Sequence, residues 1–369
     1  NAANTANRFA AMQKRHGSGN DTYQELCSRG YILPRLNGIS LRIIGNRLPM
    51  TDHTADSPDN WRSFTFFALI ALLVVRVVFN AASPLDLYAD EAQYWRWGHT
   101  LDWGYYSKPP MIAWIIHAFT AVFGNAEWAI RLPAAFLHTI GAFIIYFLGR
   151  DMYGARTGMF ASIGYALMPA VILSSAIIST DGVLMPFWCA ALWALWRLRS
   201  GTGSWASAIG LGAAVGLGFL SKYAMVYFLI GTALILIIDA DSRRALLTWK
   251  GLAALLTGLT IFAPHLAWNA ANDFKTVSHT VDNANLGGDL LNPEHALTFL
   301  VDQLGVFGPI SFLALIFGVF VMRTQDQGIM GRDRWLLCFI LPVLLIILAQ
   351  AVLSRANANW AATAYPGAC

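Results

Sequence analysis

The chain has 369 residues, of which 56% are hydrophobic and only 12% are charged. Soluble domains carry about 25% charged residues, so this composition and a mean hydropathy of +0.50 exclude an ordinary soluble enzyme. The formal net charge of +4 is dispersed along the sequence, which argues against nucleic acid as a partner.

The N-terminal region differs in character from the rest of the chain. Residues 1–49 contain seven of the 25 Lys and Arg, and they lack both a sustained apolar period and the apolar core of a signal peptide. Met50 then begins a polar leader, MTDHTADSPDNWRS. We expect residues 1–49 to be a non-native or disordered upstream extension and residues 50–63 to be a cytoplasmic leader. Residues 64–369 form the predicted membrane domain, which we expect to be truncated at its C-terminus.

Long apolar runs then recur, each close to the ~20 residues that a helix needs to cross a bilayer. They predict an all-α, polytopic membrane protein that crosses the membrane about nine times. The predicted spans are 64–82, 128–148, 158–177, 182–197, 205–220, 224–239, 251–268, 297–321 and 335–353.

The first loop, 83–127, contains one further apolar piece, MIAWIIHAFTAVFG, at residues 111–124. This piece is too short to span a bilayer. Pro109 and Pro110 favour a helix start, and Gly124 favours its end. We therefore predict a juxtamembrane, interfacial or re-entrant helix here.

Orientation follows from the Lys and Arg in the predicted loops, because cytoplasmic loops carry the excess. With a cytoplasmic N-terminus, the inner loops hold ten of them: Arg150, Arg156, Arg197, Arg199, Arg243, Arg244, Lys250, Arg323, Arg332 and Arg334. The outer loops hold six: Arg96, Lys108, Arg131, Lys222, Lys275 and Arg355. The first loop is therefore expected on the periplasmic side.

The first outer loop combines acids, aromatic residues and a lysine in LYADEAQYWRWGHTLDWGYYSKPP. Neighbours on a helix point about 100° apart, so Asp90 and Glu91 cannot share a face. One carboxylate can face a cavity as a general base for a hydroxyl. A helix cap made by Asp90 is the equal alternative.

Lys108 precedes two prolines, which stiffen the backbone that carries it. Such a lysine suits an anionic headgroup such as a phosphate, and a lysine that snorkels to the interface is the alternative. Lys222 and Arg355, predicted on the same side, favour the phosphate. Their charge would stabilise a leaving phosphate.

Other polar residues gather at the same predicted face, namely Asp181, His265, Asn269 and His279. The histidines could bind a metal with Asp90 or Asp181, although no HxxxH or HExxH spacing is present. The aromatic residues of the first loop, Tyr106 among them, fit an interfacial belt. One or two of them could instead stack on a sugar ring.

Four motifs, DEAQYW, YYSKPP, RLPAAFLHTIGAFIIYFLGRDMYG and STDGVLMPFWCAALWALWRL, resemble the GT-C membrane glycosyltransferases. The resemblance is to the protein mannosyltransferase-like superfamily that includes the lipid A aminoarabinose and galacturonic acid transferases, and it runs from about Arg62 to the C-terminus. The family takes a sugar from a polyprenyl-phosphate carrier and passes it to an acceptor outside the cytoplasm. The resemblance thus implies a bacterial inner-membrane, inverting transferase whose acceptor is lipid A or lipopolysaccharide core, another glycan or a protein.

The resemblance also implies residue roles. Asp90 would be the catalytic base, Lys108 would contact the carrier phosphate, and Asp181 would support the site through a lysine. Glu91, His265, Asn269 and Tyr106 would be further supporting residues, and Lys222 and Arg355 would assist Lys108. Some relatives place a metal-binding glutamate just before Lys-Pro-Pro where this chain has Ser107, so dependence on a divalent metal stays open.

A transporter or lipid-linked sugar flippase without bond chemistry is the rival function. Transporters often contain paired repeats with broken helices at the membrane midplane. This sequence has no clear internal repeat, and its polar residues gather at one face, which favours the transferase.

Overall fold

The computed structural model describes residues 58–284, 291–324 and 331–369, and every regular element among them is helical. The all-α class is thereby confirmed. The 1–49 extension and most of the 50–63 leader lie outside the described residues. The helices are α1 Pro58–Ala82, α2 Ala89–Gly98, α3 Met111–Phe123, α4 Glu127–Tyr153, α5 Ala155–Ala166, α6 Pro169–Ser174, α7 Thr180–Arg199, α8 Trp205–Ser221, α9 Val226–Ile238, α10 Ala240–Leu246, α11 Trp249–Ala271, α12 Lys275–Ala284, α13 Pro293–Val306, α14 Pro309–Thr324 and α15 Gly331–Leu353, with 3₁₀ segments at Tyr223–Met225 and Ala358–Gly367.

Four of these helices, α1, α4, α11 and α15, are long and apolar enough to cross a membrane. The count among the described residues rises to six if each of two sharply bent helix pairs forms one span. The nine predicted spans are therefore not confirmed as a count. Large apolar side chains on α1 are exposed, including Phe67 (69%), Val75 (62%) and Phe79 (62%). Such a stripe is typical of a lipid-facing surface.

Two predicted spans are wrong as continuous helices. The run 158–177 is interrupted between α5 and α6, where Pro169 cannot donate a hydrogen bond to the carbonyl four residues earlier. The run 297–321 is bent by 112° between α13 and α14. Gly308 lies at this bend with φ +94°, a conformation that glycine adopts without strain, and Pro309 begins the next helix.

Helices α8 and α11 approach closely through glycine. A side chain at Gly212 would lie 2.1 Å from the carbonyl oxygen of Ala254, so only glycine permits this contact. Small residues at helix crossings are typical of membrane bundles. The contact brings the C-terminal halves of α8 and α11 together, and Lys222 and His265 lie at this end of the helix pair.

The predicted helix at residues 111–124 is confirmed as α3, which begins after Pro110 and ends before Gly124. Apolar side chains of α2 and α3, among them Tyr94 and Ile112, are buried against α4 and α7, which contribute Ile130 and Val183. The first loop is therefore fixed to the helical bundle by a core of its own.

Candidate active site

Glu91 anchors the first loop. Its carboxylate is 1% exposed and pairs with Arg131 of α4 at 2.8 Å. It also accepts hydrogen bonds from the backbone N–H groups of Tyr88 and Ile178, at 3.0 and 2.9 Å. Arg131 in turn donates to two backbone carbonyls just before α2. The side chains of Asp90 and Glu91 therefore point in different directions, as expected, and Glu91 pairs with an arginine.

Asp90 lies in the first turn of α2 and is exposed, whereas Tyr88 occupies the N-cap position. The capping alternative for Asp90 is therefore wrong. Tyr94, one turn later, is buried. Burial first, and then the charges of Asp90 and Asp181, raise the pKa of Tyr94. The phenol of Tyr94 therefore stays neutral, and it lies within electrostatic reach of Asp90.

Lys108 is half-buried in the first loop, just before α3 begins, and its carbonyl accepts a hydrogen bond from the N–H of Tyr105 at 3.2 Å. Burial and the neighbouring Lys222 lower the pKa of Lys108, while Asp90 and Asp181 act in the opposite direction. These four charged groups therefore lie within electrostatic reach of one another. Among the described residues, no carboxylate lies within ion-pair distance of Lys108.

Lys222 and Asp181 form an ion pair between the ends of α8 and α7. The Nζ–Oδ1 distance is 2.6 Å, and the second carboxylate oxygen of Asp181 accepts a hydrogen bond from Asn359 at 2.7 Å. Ser179 caps α7 by accepting the N–H of Gly182. Three distant parts of the chain thus meet at Asp181, and the geometry agrees with the lysine partner expected for it.

A cavity of about 290 Å³, which we call the lysine cavity, contains both lysine side chains in its lining. Val226, Ile346 and Ile347 form an apolar part of its wall. Tyr223 and other residues form a polar part. A cavity with cations on one part and apolar side chains on another fits a ligand that joins an anion to a hydrocarbon chain.

His265 connects the first loop to α11. Its Nδ1 lies 2.6 Å from the carbonyl oxygen of Trp103, which only accepts, so Nδ1 carries the proton. Nε2 then accepts from the hydroxyl of Tyr223 at 2.7 Å, and Nδ2 of Asn269 lies 3.0 Å away. His265 and Asn269 are fully buried. They therefore hold the loop and orient Tyr223 in the lysine cavity.

Both ring nitrogens of His265 are occupied by these hydrogen bonds. Within the described ranges, no three His, Cys, Asp or Glu side chains gather in a way that could hold a metal ion. His265 here acts as a neutral hydrogen-bonding residue.

Helix α12 forms part of the rim of the lysine cavity. Thr276 donates to the carbonyl of Tyr105 at 2.6 Å, and the ring of Tyr106 lies edge-on to His279, with centroids 5.2 Å apart. His279 lines the cavity, while the Tyr106 side chain is 62% exposed. Tyr106 thus lies beside the cavity mouth.

Arg355 is the predicted phosphate ligand that the structure does not bring into the cavity. Its side chain is exposed and is not part of the cavity lining, and its carbonyl accepts from Gln350 at 3.3 Å. Conversely, Arg131 and Tyr223 make contacts at the site that were not predicted from the sequence. Two features of the sequence could have indicated them. Tyr223 is adjacent to Lys222, and Arg131 lies at the start of an apolar run.

Known proteins with similar sequences are membrane-associated or lipid-modifying transferases by their names. Residues 107–268 match the family described as dolichyl-phosphate-mannose-protein mannosyltransferase. The chain is 37% identical to the lipid A galacturonosyltransferase RgtD of Rhizobium johnstonii, over 79% of this chain and 60% of the relative. It is 26% identical to the lipopolysaccharide core galacturonosyltransferase RgtA of the same organism, over 72% of this chain and 54% of the relative.

The fold is that of a solved membrane glycosyltransferase. The crystal structure of ArnT from Cupriavidus metallidurans bound to undecaprenyl phosphate matches with a TM-score of 0.67 at 16% identity, over 84% of this chain and 59% of that one. The chain therefore spans somewhat more than half the length of these relatives. Together the matches confirm the resemblance noted in the sequence.

Proposed function

We propose that this chain, which resembles the GT-C membrane glycosyltransferases, transfers a sugar from a polyprenyl-phosphate carrier to an acceptor hydroxyl. The reaction would take place on the periplasmic side of a bacterial inner membrane. By analogy with the relative that is 37% identical, the sugar is galacturonic acid and the acceptor is lipid A.

One observation carries the proposal. Lys108 is half-buried in the lysine cavity, and no carboxylate of the described chain lies within ion-pair distance of it. Desolvating an ammonium group is costly unless an anion compensates it. A carrier phosphate would supply that anion, and the apolar wall at Val226, Ile346 and Ile347 would contact the isoprenoid chain.

The proposed reaction is a single displacement. Asp90 accepts the proton of the acceptor hydroxyl as the hydroxyl oxygen bonds to the anomeric carbon. The bond between that carbon and the phosphate oxygen breaks, and its electron pair leaves with the phosphate. Lys108 stabilises the charge that develops there, and Lys222, held by Asp181, adds to the positive field. Attack opposite the leaving group inverts the anomeric configuration.

Product formation tests the proposal. The purified chain in lipid nanodiscs is incubated with polyprenyl-phosphate galacturonic acid and lipid A, and the products are analysed by mass spectrometry. We expect lipid A to gain one galacturonic acid residue while polyprenyl phosphate is released. Movement of the donor across a proteoliposome membrane, with no new glycosidic bond, would instead support the flippase.

A further inference from the structure

Tyr223 is half-buried in the wall of the lysine cavity, directly after Lys222 in the chain. A side chain in a cavity wall recognises a ligand through the hydrogen-bonding capacity that the protein leaves unused. A tyrosine hydroxyl has one proton to donate, and its oxygen can also accept. The protein partners of this hydroxyl therefore decide which ligand groups Tyr223 can bind.

The direction of the Tyr223 hydroxyl proton is fixed by a chain of hydrogen bonds that starts at the carbonyl of Trp103. This carbonyl can only accept, and it lies 2.6 Å from Nδ1 of His265, so Nδ1 carries the proton of the neutral ring. Nε2 is then without a proton, and it lies 2.7 Å from the Tyr223 oxygen. At that distance the hydroxyl proton lies between the two atoms. Tyr223 therefore donates its proton to His265 and has none to donate to a ligand.

The packing of the first loop holds the Trp103 carbonyl in place. The next residue, Gly104, passes so close to the Trp268 ring that an added side-chain carbon would lie 2.3 Å from it. Trp268 is three residues after His265 on α11, and the two rings are nearly parallel, with centroids 6.4 Å apart. The carbonyl and the histidine therefore belong to one packed unit, so the direction of the hydrogen bonds is a property of the folded chain.

The Tyr223 oxygen can accept one further hydrogen bond. Nδ2 of Asn269 donates to this oxygen at 3.3 Å. The hydroxyl of Thr276 is also near Tyr223, but its proton is donated to the carbonyl of Tyr105 at 2.6 Å. Thr276 is therefore not a second donor, and a position for a donor from a ligand remains.

These contacts make Tyr223 an acceptor toward the lysine cavity. The oxygens of an ionised phosphate or carboxylate also only accept, so neither group suits Tyr223. A sugar hydroxyl can donate, and it does suit Tyr223. Lys108 and Lys222 differ in this respect, because an ammonium group only donates and is complementary to a phosphate. The same cavity thus offers donors for an anion and an acceptor for a hydroxyl group.

We propose that Tyr223 binds a hydroxyl group of the carrier-linked sugar, and that His265 and Asn269 position the Tyr223 oxygen for this contact. The inference rests on the proposed function, because it takes the ligand of the lysine cavity to be a polyprenyl-phosphate sugar. Lys108 and Lys222 then hold the phosphate. Tyr223 distinguishes the loaded carrier from the polyprenyl phosphate that leaves after transfer.

Equilibrium binding of the loaded and the empty carrier tests this assignment. Tyr223→Phe removes the hydroxyl and keeps the ring, and Tyr88→Phe, at a 70% exposed side chain outside the cavity lining, is the matched control. We expect Tyr223→Phe in nanodiscs to raise the Kd for polyprenyl-phosphate galacturonic acid by about 3–10-fold, as for the loss of one neutral hydrogen bond. The Kd for polyprenyl phosphate should be unchanged, and Tyr88→Phe should change neither. Equal losses for both ligands, or no loss for the loaded carrier, would overturn the assignment.

Donors that lack one hydroxyl identify the group that Tyr223 binds. The measurement is repeated with donors in which one of the three ring hydroxyls of the sugar is replaced by hydrogen. For one of these donors Tyr223→Phe should cause no loss of affinity, because both partners of the same contact are then absent. An undiminished loss with all three donors would overturn the direct contact.

NMR of the unaltered chain tests the direction of the hydrogen bonds. The chain is labelled with ¹⁵N-histidine in nanodiscs, and the His265 signals are identified by their absence in His265→Gln. We expect a proton on Nδ1 and none on Nε2. A proton on Nε2 would leave the Tyr223 hydroxyl free to donate to a phosphate, and it would overturn the assignment.

These outcomes are separate from those that test the proposed function. Binding is measured without an acceptor, so it does not depend on transfer. Equal affinity of Tyr223→Phe and the unaltered chain for the loaded carrier would overturn the sugar contact and leave the transferase intact. Failure of the unaltered chain to form a glycosidic bond would defeat the proposed function, while a selective loss of affinity for the loaded carrier would still support the contact.

Discussion

Asp90 and Glu91 are neighbours in sequence, yet one carboxylate is exposed beside Tyr94 and the other is buried against Arg131. The difference follows from the 100° turn between adjacent helical residues. It assigns the two acids to separate tasks, so substitution of each should produce a separate kind of defect.

Asp90→Asn removes the proposed base and keeps the shape of the side chain. Because Asp90 is exposed, folding and carrier binding should be preserved, while the transfer rate should fall by about 10²–10⁴. Single-turnover transfer and thermal unfolding in nanodiscs measure the two quantities. Turnover close to that of the unaltered chain would remove Asp90 from the mechanism.

Glu91→Gln breaks a buried ion pair and leaves the Arg131 charge uncompensated. Removing one partner of such a pair costs about 3–5 kcal/mol, so we expect a large loss of thermal stability. Glu294→Gln, at an exposed acid in the first turn of α13, serves as the control and should be nearly neutral. Unchanged stability of Glu91→Gln would show that the pair does not anchor the loop.

Lys108 is tested by charge and by pH. Lys108→Ala should weaken polyprenyl-phosphate binding. Lys108→Arg should restore only part of the lost affinity, since a planar guanidinium does not reproduce the compact ammonium group. The pKa of Lys108 lies below the ordinary value of 10.5 because of burial and the nearby Lys222. Carrier affinity should therefore decline as pH rises through that lowered pKa, and this decline should be absent in Lys108→Arg. Equal affinity in Lys108→Ala and the unaltered chain would exclude the phosphate role.

At the scale of helices, the bend between α13 and α14 depends on a single glycine. Gly308→Ala should destabilise the protein by about 1–2 kcal/mol, because φ of +94° is unfavourable for a residue with a side chain. Gly318→Ala, inside α14 with no atom near the added carbon, should be neutral or slightly stabilising. Thermal unfolding of both variants measures the difference, and equal effects would contradict the assigned strain.

Some helix boundaries can be predicted from the sequence and others cannot. Pro109, Pro110 and Gly124 delimit α3 in both sequence and structure. The breaks before Pro169 and at Gly308 are not predicted, because the sequence on both sides of each break is apolar. Hydropathy depends on composition, so it does not show that the helix axis changes direction. The contacts of Asp181 are beyond a single sequence for another reason. Lys222 and Asn359 lie 41 and 178 residues away, and only the tertiary fold brings them together.

At the scale of the whole molecule, composition alone indicates the class. A chain with 12% charged residues needs an apolar solvent for its surface, and the exposed apolar side chains of α1 and α14 provide that surface. The clustering of Asp90, Lys108, Asp181 and Lys222 is likewise expected from their shared predicted side. The ion pair between Asp181 and Lys222 cannot be predicted in the same way, because hydropathy gives the order of the spans along the chain but not which helices are in contact.

The most direct measurement of the central claim is the anomeric configuration of the product. The purified chain is given polyprenyl-phosphate galacturonic acid with ¹³C at the anomeric carbon, and the new bond to lipid A is observed by NMR. A single displacement with Asp90 as base predicts a new glycosidic bond of inverted configuration, which is lost in Asp90→Asn. A product that retains the donor configuration, or no glycosidic bond at all, would contradict the account.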